Sequence, residues 1–299
     1  MGGYEVRVND RAGGAADTDG DWGPIAINAP RHDVREPGNA ARADGAAALA
    51  PAASRTSAMT FAPPSPSGAT PEPAISDANT AEELIAWSLK RFRTANIVIT
   101  TSFGMEGCAL IDMYARHGRQ LTVAYLDTMF FFPETYALRD EMMRRYPHLR
   151  FENRGTTLTP EEQERMHGPE LWKSNPTLCC QIRKVQPMFS ALRGVDVWVT
   201  GLMRSQSATR ANIGIIEWDW KYQVLKFNPL ATWTRQQVWT YVQEHNVPYN
   251  KLHERGYPTV GCTHCTKAVE GAKLGEYTRL GRWSEFEKTE CGLHGGAGI

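Results

Sequence analysis

Four cysteines fall into two clusters, Cys179-Cys180 and Cys262-Thr263-His264-Cys265, and a further thiol, Cys291, stands alone near the C-terminal residue Ile299. Soft sulfur donors from two distant segments are what one metal centre needs, because the chain must fold back for them to converge. The C-x-x-C half is a common metal knuckle. The adjacent pair is unusual, since neighbouring side chains on a helix diverge by roughly 100° at 3.6 residues per turn, which suits a larger object better than one ion. On spacing alone, a structural zinc, an iron-sulfur cluster and unrelated buried thiols all stay open. Cys108 reads as a buried helix residue. Cys291 is the thiol left over: incidental if exposed, but a nucleophile if the tail folds over a site lined by Arg and Lys, which would stabilise its thiolate. His294 either tunes that thiol or simply faces solvent.

A second constellation is basic. Arg183 and Lys184 follow the cysteine pair, Arg204 and Arg210 flank Gln206-Ser207-Ala208-Thr209, and Arg279 and Arg282 stand in the tail. Guanidinium forks match phosphate and sulfate oxygens, although a solvated helix face explains Arg183 or Lys184 equally well taken singly. The turn Thr101-Ser102-Phe103-Gly104-Met105-Glu106-Gly107 offers amides, a hydroxyl and a helix amino end to an anion, or is an ordinary strand-to-helix turn. It lacks the Gly-Lys-Ser/Thr ending of a P-loop and the spaced glycines of a dinucleotide fingerprint, so neither NTP hydrolysis nor NAD binding is supported.

The elements that must position these groups alternate. Thr80-Ala81-Glu82-Glu83 is a capping box before an apolar helical face of Leu84, Ile85, Trp87, Leu89 and Phe92. Strands are predicted over 96–101, 121–126, 149–153 and 195–201. Helices are predicted over 108–117, 133–146, 160–166 and 177–192, the last carrying the cysteine pair with a kink at Pro187. Residues 213–219 and 222–227 read as a hairpin, and Thr234 caps a helix to Glu244 with Val238, Trp239 and Val242 facing inward. Repeated βαβ units predict an α/β fold, a doubly wound parallel sheet, whose ligands bind at the carboxyl ends of the strands. Three loops then meet: Ser102 to Gly107, Asp127 to Phe131, and Gly201 to Arg210. Ser102, Gly104, Asp127, Thr128 and Gly201 become candidate binding residues.

The chain has 299 residues, 41% of them hydrophobic, with 33 basic and 33 acidic residues. Zero formal net charge removes any global electrostatic case for nucleic acid or an anionic membrane. No apolar run is long enough to span a bilayer and no secretory signal is visible, so a cytoplasmic protein is expected, and metal-ligand-like cysteines fit a reducing compartment. Residues 1–75 are rich in Ala, Gly, Pro, Ser, Asp and Arg, without apolar period, and are expected to be a disordered extension. Translation from Met59 instead of Met1 is compatible with that composition. Residues 76–270 are expected to form the α/β domain and 271–299 a mobile segment carrying Cys291.

Over roughly residues 80–294 the chain resembles the assimilatory sulfonucleotide reductases, and among them the iron-sulfur adenylylsulfate (APS) reductases. The stretches that carry the resemblance are Leu171 to Pro176, Cys179-Cys180-Gln181-Ile182-Arg183-Lys184, Gly201 to Ala211, Gly261-Cys262-Thr263-His264-Cys265-Thr266 and Glu290-Cys291-Gly292-Leu293-His294. The resemblance implies a sheet of the adenine nucleotide alpha-hydrolase or PAPS reductase type. It implies that Cys179, Cys180, Cys262 and Cys265 ligate one 4Fe-4S cluster and that Cys291 is the nucleophile. Lys184 would lie between cluster and substrate; Arg210, Arg279 and Arg282 would meet the phosphosulfate, with Arg204 and His294 beside them. The reaction implied is reduction of APS to sulfite and AMP through an S-sulfocysteine on Cys291, in assimilatory sulfate reduction and cysteine biosynthesis. The electrons would come from a separate thioredoxin or glutaredoxin, since no thioredoxin-like domain follows Cys291. The cluster would act by position and electrostatics.

Two stretches depart from the family pattern. Ser-Phe-Gly-Met-Glu-Gly lacks the second Gly and the Asp of the related ATP pyrophosphatase loop, and Leu274 to Arg279 replaces the more usual Gly-Glu-Asp before the arginine. Three rivals remain. A reductase of the 3′-phosphorylated substrate, PAPS, would not need the four cysteines. A cluster-dependent tRNA thiolation enzyme would want an ATP-splitting loop and a basic surface. A non-catalytic iron-sulfur sensor would have no use for the tail thiol and arginines. An assembly of several copies is compatible with the sequence.

Overall fold

Strands rich in Val, Ile and Thr alternate with helices that announce themselves by their caps, and the computed structural model, which describes residues 75–275, 279–286 and 288–294, assembles them into one six-stranded sheet. Helix α1 (Ala81–Arg91) starts at a complete Thr80/Glu83 capping box and leads into β1 (Ile97–Thr101). Then follow α2 (Met105–Ala115), β2 (Thr122–Tyr125), α3 (Pro133–Arg145), β3 (Arg150–Asn153) and α4 (Pro160–His167). Short helices α5 (Leu171–Ser174) and α6 (Pro176–Cys180), a π-helical turn over Gln181–Val185 and α7 (Gln186–Ala191) precede β4 (Val197–Val199). The hairpin of β5 (Ile216–Asp219) and β6 (Val224–Phe227) and helix α8 (Arg235–Glu244) complete the regular elements.

Strand order is β3-β2-β1-β4-β6-β5, parallel throughout except for β5, which runs antiparallel to β6. The predicted hairpin is therefore part of the main sheet, and its outer strand supplies the antiparallel edge. The order in which strands are added reverses between β1 and β4, so the crevice opens at the carboxyl ends of those two parallel strands. The inner strands β2, β4 and β6 are buried along their whole length, as a sheet covered on both faces requires, while edge strand β3 exposes Arg150 and Asn153.

Three local expectations change. Helix α2 begins at Met105, three residues early, because Gly104 already serves as its N-cap. Pro187 does not kink a single α-helix. The ring would clash with the carbonyl four residues back, Arg183, and the chain widens into the π turn that contains Arg183 instead. Trp239 is only half-buried, edge-on to Tyr249, and Tyr241 takes the inward position with its hydroxyl donating to Asp112 at 2.6 Å. Among the described residues no helix is long and apolar enough to cross a membrane. The 1–74 extension and residues 276–278 of the unusual tail stretch lie outside the described residues.

Candidate active site

The loops at the ends of β1 and β4 enclose a cavity of about 220 Å³ at the switch point. Ser102 and Gly104 line it from the first loop, Gly201 and Arg210 from the second, and Thr128 from the loop after β2. The tail closes the circuit with Arg279, Arg282, Cys291 and His294, and Lys184 reaches in from the π turn. Gly201 permits this closeness, since a Cβ there would sit 3.3 Å from the Glu106 carbonyl carbon.

Arg204 and Asp127 do not line the cavity. Both Arg204 terminal nitrogens bind the Asp77 carboxylate, at 2.6 and 2.9 Å, and Nε donates to the Ile213 carbonyl. Asp127 accepts from the Met129 amide at 2.7 Å and the Tyr136 hydroxyl at 2.9 Å, so it anchors its own loop. Each carboxylate or guanidinium is thereby committed within the fold.

The cysteine clusters meet beside the cavity. The loop after β2 pairs with the second cluster through a bridge between Phe131 and Cys262, and the Thr263 amide donates to the Phe130 carbonyl at 2.8 Å. Thr128 Oγ1 lies 3.3 Å from Cys262 Sγ. A bridge between Thr266 and Arg282 ties the same cluster to the tail arginines, with Arg282 Nε donating to the Cys265 carbonyl. Gly261 makes room for this guanidinium: a Cβ would fall 2.5 Å from one of its nitrogens. Burial, then the neighbouring thiols Cys180, Cys262 and Cys265, pushes the Cys179 thiol up to about 12. Cys265 rises to about 11 for the same two reasons. Burial alone would lower Lys184, but the surrounding Cys262, Cys180 and Cys291 outweigh it and hold the ammonium above its ordinary value. Arg183 is 1% exposed and donates to Gln163, Thr128 and Leu158, so it is a buried cation among these thiols and not a solvated one.

This donor set fits a metal centre chemically. Cys179, Cys180 and Cys265 resist ionising next to one another, a cationic core would stabilise these thiols and Cys262 as thiolates, and Arg183, Lys184, Arg282 and Lys288 offset the negative charge that remains. Among the described residues, no group of three or more His, Cys, Asp or Glu closes to the spacing of a single bound ion. His264 stacks on Trp172 with ring centroids 4.5 Å apart and meets Phe130 edge-on, covering this loop with aromatic rings.

Cys291 is half-exposed and lies within electrostatic reach of Cys180, Lys184 and Lys221. The tail is seated by Lys221 Nζ, which donates to the Gly292 carbonyl at 2.6 Å, and by Leu293, which packs on the cluster of Met188, Ala191, Leu192 and Tyr222. His294 is not solvent-facing. It stacks on Trp198 at 5.3 Å, and burial, then Lys226 and Arg210, holds its imidazole far below the ordinary range, so it is neutral. Cys108 is fully buried in α2.

Sequence reasoning missed a buried group on the cavity wall. Arg235 Nη1 binds Glu106 Oε1 at 2.6 Å, and His253 donates from Nδ1 to the Tyr257 carbonyl, which leaves Nε2 as an acceptor. One signal was available: Arg235 stands in the first turn of α8, where the helix dipole disfavours a cation, so a partner from elsewhere was needed. Glu106 places negative charge at the amino end of α2, which leaves that turn less fit to cradle an anion than the arginines opposite. Arg235→Met should lower unfolding free energy by about 3–5 kcal/mol in urea titrations, because it strands the Glu106 charge; the double change with Glu106→Gln should recover most of it.

A family model described as the phosphoadenosine phosphosulfate reductase domain matches residues 96–268. A Staphylococcus haemolyticus protein named adenosine 5′-phosphosulfate reductase is 43% identical over 214 residues, 72% of this chain and 86% of its own length. A Bacillus anthracis protein of the same name is 42% identical over 215 residues, 72% of this chain and 93% of its own length. Among solved structures, a Candida auris phosphoadenylyl-sulfate (PAPS) reductase in a phosphate complex aligns with TM-score 0.56 at 31% identity, over 64% of this chain and 91% of its own.

Proposed function

The chain belongs to the phosphoadenosine phosphosulfate reductase family, and we propose that it reduces adenosine 5′-phosphosulfate to sulfite and AMP with electrons from a dithiol protein of the thioredoxin or glutaredoxin kind. The observation that carries this reading is a single cavity lined by Cys291, Lys184 and three arginines, Arg210, Arg279 and Arg282. A thiol nucleophile surrounded by cations suits attack on a sulfur that carries anionic oxygens. The names of relatives at 42–43% identity favour the substrate without a 3′-phosphate.

In this reading Arg210, Arg279 and Arg282 bind the phosphosulfate oxygens, while Ser102, Gly104, Thr128 and Gly201 shape the wall around the nucleotide. The Cys291 thiolate attacks the sulfate sulfur; an S–S bond forms, the S–O bond breaks, and AMP leaves with the electron pair. Lys184 and the arginines offset the charge that gathers on the leaving phosphate. A thiolate of the reductant then attacks Cys291 Sγ, sulfite departs with the bonding pair, and the second reductant thiol resolves the mixed disulfide to restore Cys291. The two electrons that take sulfur to sulfite come from the dithiol. The tail segment opens after transfer to present the modified Cys291.

Cys179, Cys180, Cys262 and Cys265 are the residues that would hold a 4Fe-4S cluster, whose contribution is local charge and rigidity beside the cavity. Six free thiols, four of them assigned to such a centre, suit a reducing compartment, and the protein is assigned to the cytoplasm. Anaerobically purified protein should release sulfite from APS with reduced thioredoxin at least about a hundredfold more efficiently than from PAPS, by kcat/KM. Preference for PAPS would reassign the substrate, and no sulfite from either would reject the reading.

A further inference from the structure

Two of the arginines assigned to the substrate already hold an anion from the chain itself. Glu290 Oε2 accepts from Arg210 Nη2 at 2.9 Å and from Arg279 Nη2 at 3.2 Å, and its Oε1 is met by the hydroxyls of Ser207 at 3.4 Å and Thr209 at 3.5 Å. The Glu290, Arg210 and Arg279 side chains are only 10%, 12% and 18% exposed, and all three residues line the cavity. Two guanidinium groups and two hydroxyls around one carboxylate form the donor set that a sulfate or phosphate group would use. Glu290 is also joined by a peptide bond to Cys291.

We propose that Glu290 is a built-in competitor for the sulfonucleotide: it occupies the anion subsite in the free chain, is displaced when the substrate enters, and returns to expel the nucleotide product. The proposal rests on the functional reading above. A ligand anion and the carboxylate cannot share the clamp, since like charges in contact at a desolvated site repel strongly. Displacing Glu290 shifts the residue next to it, so occupation of the subsite is coupled to the placement of Cys291. Once sulfur has been transferred, the carboxylate competes with the AMP phosphate for the same donors, which favours product release. Glu290 acts through the arginines and is a positioning residue.

The test compares the wild-type chain with Glu290→Gln and Glu290→Asp, titrating inorganic sulfate and AMP calorimetrically at low ionic strength. Gln keeps the shape and removes the charge, so both probes should bind about tenfold more tightly, while Asp, which keeps the charge, should stay within about threefold of wild type. Steady-state KM for APS and the AMP inhibition constant should fall together in Glu290→Gln. Sulfate binding that is unchanged or weaker in Glu290→Gln overturns the proposal, and weaker binding is what a merely structural anchor for the tail would give. If the wild-type chain turns over no APS, the functional reading fails, while the sulfate titration still decides whether Glu290 competes for the clamp.

Discussion

Cys291→Ser should abolish sulfite release from APS, lowering kcat/KM by at least about four orders of magnitude while leaving APS binding and the melting temperature close to wild type. The size follows from the chemistry: a serine hydroxyl is far less ionised than a thiol, and an oxygen-linked sulfonate lacks the divalent side-chain sulfur that the reductant must attack. The small structural effect follows from the surroundings. Cys291 is half-exposed, and the tail is seated by Lys221 on the Gly292 carbonyl, by Leu293 on the core and by His294 on Trp198, none of which uses the sulfur. Retained turnover would move the nucleophile elsewhere. The one other thiol outside the two cysteine clusters, Cys108, is sealed inside α2 with burial pushing its ionisation far up, and could not replace it.

Cys179→Ser should remove the visible colour of anaerobically prepared protein, lower its iron and sulfide content, and reduce activity by at least about a hundredfold. Colour and iron content are the primary readouts because they do not depend on turnover. The cations Arg183 and Lys184 sit among these thiols and lose their counter-charge with the centre, so melting temperature should fall as well. A colourless wild-type protein that contains stoichiometric zinc would replace the cluster with a structural metal site and would remove the reason for the unusual adjacent cysteine pair.

Much of the fold could be read from local signals. The capping boxes at Thr80, Thr159 and Thr234 mark helix starts, and the β-branched runs before Ser102 and Asp127 mark strands. The switch point follows from the alternation, and with it the meeting of Ser102, Gly201 and Arg210. What could not be read were pairings between distant residues. Arg204 and Arg210 look equivalent in sequence, yet one is spent on Asp77 and the other lines the cavity, because their partners, Asp77 and Glu290, come from opposite ends of the chain. Asp127 reads in sequence as a ligand for substrate, but Tyr136 in the helix that follows, α3, is its partner. Glu290 carries no signal beside its neighbour Cys291, since a single acidic residue has no periodicity or spacing to reveal it. The π turn needed knowledge of how Pro187 packs against the preceding helix.

The most direct measurement is the mass of the C-terminal tryptic peptide, beginning at Thr289, after a single turnover of stoichiometric APS without reductant. The account predicts one added sulfonate on Cys291, formed at the rate of AMP release and discharged as sulfite when reduced thioredoxin is added. Sulfite formation with an unmodified Cys291, or a sulfonate on another residue, would contradict it.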